Sequence, residues 1–229
     1  MKEILINVES KEVRVAKLHN KKLHDLTIER KKTRLLTGSI YRGKVTNILK
    51  NIQSAFIDIG EGENGFIHIS DIIENTQKFQ EMFDMDFDLE ESSTKTISTP
   101  EDISKVLKND QTVLVQIVKE PIGSKGARLT SNLSIPGRYL VLLPNSNHRG
   151  VSRKITDSQA RLRLKKLIKA FDMPSDMGLI CRTAAVSASQ DSLIEEAHEL
   201  LRIWQKIIEN FQKAKGFSCL YQESDFIKK

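Results

Sequence analysis

The sequence predicts an α+β protein: an opening run of strands, a small closed β-barrel, and a second half that mixes strands with helices. Three observations support this. Between residues 40 and 131, short runs of alternating apolar residues are separated by glycine-containing turns, the pattern of short strands joined by tight connections. Beyond residue 150, two segments space their apolar residues at helical intervals. Finally, Phe56 and Phe66 stand at strand positions where alternation calls for polar side chains.

Residues 2–30 read as a β-meander, with strands at 3–8, 13–18 and 23–28. The polar turns Glu9-Ser10-Lys11 and His19-Asn20-Lys21-Lys22 separate them. A three-stranded sheet of this kind exposes one face unless something packs on it.

The barrel begins at Gly38. On the strand Ile40–Leu49, Tyr41, Gly43 and Val45 share one face while Arg42, Lys44 and Thr46 share the other, making that second face basic. In residues 54–59, Ala55, Ile57 and Ile59 point one way and Ser54, Phe56 and Asp58 the other. Residues 64–69 repeat the arrangement, with Gly65, Ile67 and Ile69 inward and Asn64, Phe66 and His68 outward. The short turn Gly60-Glu61-Gly62-Glu63 pairs these two strands as a hairpin and brings both rings onto one surface. Strands Thr112–Lys119 and 127–131, joined by Gly123-Ser124-Lys125-Gly126, bring the count to five, as in a barrel of the OB type. Between them an acidic insertion, about 71–105, is expected to form a short helix and a mobile loop.

One outward phenylalanine is as often covered by a helix or loop as not. Two in register beside a basic strand favour a binding surface, because aromatic platforms on polar sheets stack unpaired bases.

In the second half, residues 139–143 read as a strand closed by Pro144-Asn145-Ser146-Asn147. Thr156 opens a helix through a capping box with Gln159, and Ala160, Leu164, Leu167, Ile168 and Phe171 line one face. Residues 177–183 form another apolar strand. A longer helix spans about 192–215, stopped by Gly216, with Leu193, Ala197, Leu200, Leu201, Trp204, Ile207, Ile208 and Phe211 as a core stripe.

Composition excludes several classes. No apolar run approaches the ~18 residues that span a bilayer, and the charged start does not read as a signal peptide, so a cytoplasmic location is expected. Cys181 and Cys219 lie far apart and read as reduced thiols; neither belongs to a Cys-x-x-Cys pair, which leaves a structural zinc site unsupported. The net charge of +6 suits a polyanion partner, and the acids of residues 71–91 make the remainder more basic still. Asp84, Asp86 and Asp88 alternate like calcium-loop ligands, but the glycine and the closing bidentate glutamate of such a loop are missing. Glu195 and Glu196 adjoin on the long helix and diverge. No histidine has a partner at nucleophile-base spacing.

Several ordered motifs resemble one family. Residues 38–46 (GSIYRGKVT), 53–60 (QSAFIDIG) and 64–70 (NGFIHIS) are similar to the S1 RNA-binding domain as it occurs in the bacterial ribonuclease E/G family. The likeness continues through 123–130 (GSKGARLT), 137–144 (GRYLVLLP), 150–155 (GVSRKI) and 178–184 (GLICRTA), covering nearly the whole chain.

The resemblance implies a division into a partial ribonuclease-H-like domain (1–36), an S1 domain (37–130), a mixed α/β segment sensing the 5′ end of RNA (131–215), and the start of a return to the first domain (216–229). Phe56, Phe66, Lys119 and Lys125 match the family's RNA-contacting residues, with Arg42, Lys44 and His68 added as candidates from the strand pattern. Arg182 and Thr183 match a pair that grips a 5′ monophosphate, with backbone around Gly137 and Val141 closing the pocket and Arg153 and Lys154 holding the nearby RNA backbone. A guanidinium, a hydroxyl and a close-approaching glycine are groups suited to a phosphate.

The matched residues include neither the family's metal-binding aspartates nor its Cys-Pro-x-Cys zinc link. Mg²⁺, zinc and homo-oligomerisation are therefore expectations for the longer family proteins, and this chain alone is expected not to cleave RNA substantially, with no catalytic or metal residue assigned to it. A stand-alone, non-catalytic S1-domain RNA-binding protein is the alternative, and an OB-like adaptor for protein a third.

Overall fold

The computed structural model describes residues 1–9, 12–30, 36–72, 85–87 and 102–222. They fall into two compact units, one within 1–36 and one within 37–223.

In the first unit, β1 (Lys2–Val8), β2 (Glu12–His19) and β3 (Lys22–Arg30) form the expected antiparallel meander in the order β1-β2-β3. Asn20 and Lys21, with φ of 49° and 62°, make the two-residue turn between β2 and β3. Left-handed backbone at both positions matches the twist of a hairpin. Val13 and Val15 of β2 are buried, while Ile4, Leu5, Ile6, Val8, Leu23, Leu26 and Ile28 are exposed.

The second unit opens with the barrel strands β4 (Ile40–Leu49), β5 (Ser54–Asp58) and β6 (Gly65–His68). The segment β7 (Met85–Phe87) follows, then β8 (Thr112–Lys119) and β9 (Arg128–Thr130). Pairing runs β4-β5-β6-β9-β8, and β8 returns to β4, closing five strands into a barrel. The β6–β9 pair is parallel and the others antiparallel. Strand alternation fills the interior: Tyr41, Val45, Ala55, Ile57, Ile67, Val115, Ile117 and Leu129 are buried. Ile40, of opposite parity to Tyr41, belongs instead to the core of the second half.

That half contains β10 (Ile135–Pro136), β11 (Leu140–Leu143), β12 (Arg149–Ser152), α1 (Ser158–Ala170), β13 (Gly178–Cys181), α2 (Gln190–Lys213) and β14 (Ser218–Tyr221). Its sheet runs β10-β11-β13-β12-β7, with β12 and β13 parallel. Leu164 and Ile168 of α1 and Leu193, Ala197, Leu200 and Ile207 of α2 pack with Leu140, Leu142, Val151, Leu179 and Cys181 into one core. Trp204 packs against that core partly buried.

The helix boundaries differ by a residue or two from the pattern-based ones. Asp157, not Thr156, caps α1, its carboxylate accepting the Gln159 N–H at 2.9 Å. Ser189 caps α2. The carbonyls at the end of α1 are met by Arg149, whose guanidinium donates to Ile168 O at 3.0 Å, Lys169 O at 3.2 Å and Phe171 O at 3.3 Å. Those carbonyls lack partners within the helix itself.

Within the acidic insertion, the described segment Met85–Phe87 is a strand, paired antiparallel with β12. The expected short helix and mobile loop otherwise fall on 73–84 and 88–101, outside the described residues, as do Asp84 and Asp88. Ser218–Tyr221, assigned above to the return toward the first domain, pairs with β4. Cys181 and Cys219 are free thiols. Among the described residues no helix is long and apolar enough to cross a membrane.

Candidate nucleic-acid interface

Phe56 and Phe66 lie directly opposite one another in the β5–β6 ladder. Their ring centroids are 6.0 Å apart with the planes at 67°, an edge-to-face pair. Both are half-buried, whereas their strand neighbours Ala55, Ile57, Gly65 and Ile67 are buried. The rings therefore stand on the outer face, as alternation requires.

They line a cavity of about 620 Å³ together with Glu63, Asn64, Ser124, Lys125, Gly126 and Arg128. Two features bring the Gly123–Gly126 turn to the rings. Gly123 adopts a left-handed φ of +61°, and Gly126 lies so close to β6 that a Cβ there would stand 1.9 Å from the Asn64 carbonyl oxygen. Lys125 is thereby placed at the rim. Arg128 sits beside Phe66 in the parallel β6–β9 ladder and donates to Asp71 at 3.0 Å. Lys119, exposed at the end of β8, is opposite Arg128 in the neighbouring ladder. Strand pattern puts Asn64 on the outward face but does not select Arg128, for which the signal present is the GSKGAR run that leads from the turn into β9.

Arg42, Lys44 and His68 do not line this cavity. The guanidinium of Arg42 donates to Gly216 O at 2.6 Å and lies 5.6 Å from the centroid of the Phe211 ring. The strand β14 adds to β4 opposite Arg42, which brings the preceding Gly216 carbonyl to its guanidinium. Lys44 pairs with Asp110 at 2.6 Å, both side chains largely exposed, a contact worth little in water. His68 turns its Nδ1 to the Ser70 hydroxyl at 2.8 Å and to the Ser70 N–H at 3.2 Å, ending β6 with a cap.

The other candidates gather at one edge of the second sheet. Val151 and Leu140 both register with Cys181, so the residues after β12, those after β13 and those before β11 emerge together. These are Arg153 and Lys154, Arg182 and Thr183, and the 137–139 turn. Arg182 donates through its backbone N–H to Tyr139 O at 2.8 Å and through Nη1 to Gly137 O at 2.5 Å. Its side chain and that of Thr183 are exposed. A guanidinium carries five N–H donors, and one of them is committed to Gly137.

The backbone near Gly137 is bonded internally. Glu196, on α2, takes the N–H groups of Arg138, Tyr139 and Leu140 at 2.7, 2.8 and 2.7 Å, and Gly137 N–H donates to Leu140 O at 2.8 Å. These four donors have partners within the protein. Val141 is buried in a strand paired on both sides.

Two arginines of α1 fasten the remaining loops. Arg161 donates to Ser152 O at 2.8 Å and Ile155 O at 3.2 Å, fixing the turn that carries Arg153 and Lys154. Arg163 donates to Val186 O at 2.8 Å and Ala188 O at 3.3 Å, holding the 3-10 turn Thr183–Ser187. Nothing in the spacing of these residues marks their roles: the partners of Arg163 and Glu196 lie more than twenty residues away, and those of Arg161 are backbone carbonyls, which no side-chain pattern encodes. Among the described residues no three His, Cys, Asp or Glu side chains gather as metal ligands.

Comparison with known proteins follows the same two halves. Residues 34–129 match the S1 RNA binding domain model, and residues 134–229 match the Ribonuclease E/G family model. The chain is 38% identical over 221 residues to ribonuclease G of Haemophilus influenzae, covering 96% of this chain and 43% of that protein. It is 37% identical over 221 residues to ribonuclease G of Escherichia coli K12, with the same coverage. To ribonuclease E of Buchnera aphidicola it is 36% identical over 229 residues, 99% of this chain and 22% of that one. The chain thus spans less than half the length of these relatives. With an S1 domain on the barrel, the family's own model on the sheet and helices, and relatives of both names along nearly its full length, the chain belongs to the ribonuclease E/G family.

Proposed function

We propose that this chain is the RNA-binding and 5′-monophosphate-sensing portion of a single-strand-specific endoribonuclease of RNA processing and decay, acting in the cytoplasm. The observation that carries this reading is the edge-to-face pair of Phe56 and Phe66 above a cavity rimmed by Lys125 and Arg128. Exposed rings accept any base by stacking, and flanking cations follow the phosphates, so the surface suits unpaired RNA of mixed sequence. In the proposed division, residues 37–130 bind the strand, 131–215 sense its end, 1–36 are part of a ribonuclease-H-like domain, and 216–229 start the return toward it. Arg182 and Thr183 are the groups proposed to hold the terminal phosphate, with Arg153 and Lys154 on the adjoining backbone.

Gripping the end and the body of one strand raises the local concentration of downstream RNA. Discrimination among ends follows from fit, since a site shaped around a single phosphoryl group misplaces a triphosphate and leaves Arg182 without its partner at a hydroxyl end. Magnesium for hydrolysis, a zinc link and homo-oligomer formation are proposed for the longer family proteins, and no step is assigned to a metal here.

The test compares two single-stranded RNA oligomers that differ only in a 5′ monophosphate or 5′ hydroxyl. The parent chain is expected to prefer the phosphate and Arg182→Ala to bind both alike. Equal affinities in the parent would remove the sensing role, and no RNA affinity at all would remove the whole reading.

A further inference from the structure

The turn 137–140 is held from two sides by charged groups of opposite sign. On its N–H side, one oxygen of the Glu196 carboxylate accepts from Arg138, and the other accepts from Tyr139 and Leu140. On its C=O side, Gly137 O receives the Arg182 guanidinium and Tyr139 O receives the Arg182 N–H. Successive N–H groups converging on one point form an anion-binding concavity, and here the anion is the protein's own. A Cβ at Gly137 would stand 2.7 Å from the Glu196 carboxyl carbon, so the carboxylate or the turn would have to shift.

From this geometry we infer that Glu196 is a positioning residue for Arg182. By fixing the turn it fixes the Gly137 carbonyl, and that carbonyl sets the direction in which the remaining guanidinium donors point. This deepens the proposed 5′-phosphate site and rests on it. The carboxylate also fills the concavity, so an incoming phosphate is confined to Arg182 and Thr183. Glu196→Gln is a sharp probe. It keeps shape and length, yet places an NH₂ group where one oxygen now faces backbone donors, so part of the cradle becomes donor against donor.

The experiment measures affinities of the same 5′-monophosphate and 5′-hydroxyl RNA pair for the parent, Glu196→Gln, Arg182→Ala and the double variant. It is accompanied by ¹H–¹⁵N spectra of the Arg138, Tyr139 and Leu140 amides and the Arg182 side chain without RNA. Glu196→Gln is expected to lower the phosphate-to-hydroxyl preference about tenfold, the scale of one charge-assisted hydrogen bond. Affinity for the hydroxyl RNA should stay unchanged, the double variant should match Arg182→Ala, and the Arg182 side-chain signal should shift. Gly137→Ala, which pushes the turn off Glu196 while leaving α2 intact, should give the same loss if Glu196→Gln proves too unstable to measure. An unchanged preference, an equal fall for both RNAs, or stronger phosphate binding would each overturn the inference, the last by showing that the cradle itself is the phosphate site. A parent with no preference defeats the sensing role instead, and then an unmoved Arg182 signal in Glu196→Gln separately defeats the positioning role.

Discussion

Gly126 rests against Asn64 so closely that a Cβ on the glycine would lie 1.9 Å from the Asn64 carbonyl oxygen. Backbone meets backbone here, and no flexible side chain is available to give way. Gly126→Ala is therefore expected to push the Gly123–Gly126 turn off β6, carrying Lys125 away from the rings. The barrel should lose roughly 1–3 kcal/mol, the cost of overpacking a rigid contact. RNA affinity should fall in parallel. Urea denaturation with RNA titration checks both, and a fully stable variant with parental affinity would contradict the contact.

Phe56→Ala and Phe66→Ala should each weaken binding of single-stranded RNA by about 1–3 kcal/mol, whichever 5′ end the RNA bears. The edge-to-face pairing of the rings adds a coupling of roughly 0.5–1.5 kcal/mol, visible as non-additivity in the double variant. Both rings are half-buried on the outer face, so the folded state should survive either change. Circular dichroism melting beside the binding isotherms separates the two effects.

These rings were legible in the sequence because a strand's period of two assigns each residue a face, and the buried Ala55, Ile57, Gly65 and Ile67 leave Phe56 and Phe66 outward. The same rule put Arg42 outward and was correct locally. It failed to foresee that Ser218–Tyr221, far along the chain, would pair with β4 and draw Arg42 onto Gly216. Met85–Phe87 escaped for a related reason: a three-residue strand in an acidic stretch has no pattern of its own and exists only through its partner β12. Glu196 was read from helix geometry as diverging from Glu195, and its true partners are backbone N–H groups, which no side-chain pattern encodes. Local periodicity was readable; long-range partners were not.

Arg182→Lys should lose most of the preference for a 5′ monophosphate although the charge is kept. An ammonium is a compact point charge, whereas the guanidinium donates to Gly137 O with one nitrogen and still has further N–H donors for a phosphate. A lysine cannot do both with fixed geometry. Fluorescence anisotropy with the monophosphate and hydroxyl RNA pair checks this, and a lysine variant with the parental preference would show that charge alone suffices.

Alkaline pH should destabilise the chain through groups buried in their neutral form. Burial pushes the Cys181 thiol from its ordinary 9.0 up to about 12, with only a weak opposing pull from the Arg163 guanidinium. Burial also raises Tyr41, aided by its hydrogen bond to the Glu61 carboxylate, and burial raises Tyr221. In each case the folded state holds the proton more tightly than the unfolded chain. Their contribution is then complete below pH 9 and is lost as pH climbs from 9 toward 12, since the unfolded chain gains free energy by ionising while the folded one does not. The guanidinium chloride midpoint, measured at constant ionic strength, should be level between about pH 7 and 8.5 and fall above 9. Cys181→Ala should delay the onset of that fall toward the ordinary tyrosine range near 10, because the tyrosines alone then remain to ionise. Thiol labelling gives an independent reading: at pH 9 the folded Cys181 carries several hundredfold less thiolate than an unfolded cysteine, of which about half is ionised. Cys219 should therefore react in the native chain and Cys181 only on unfolding; rapid native labelling of Cys181 would place that thiol outside the core.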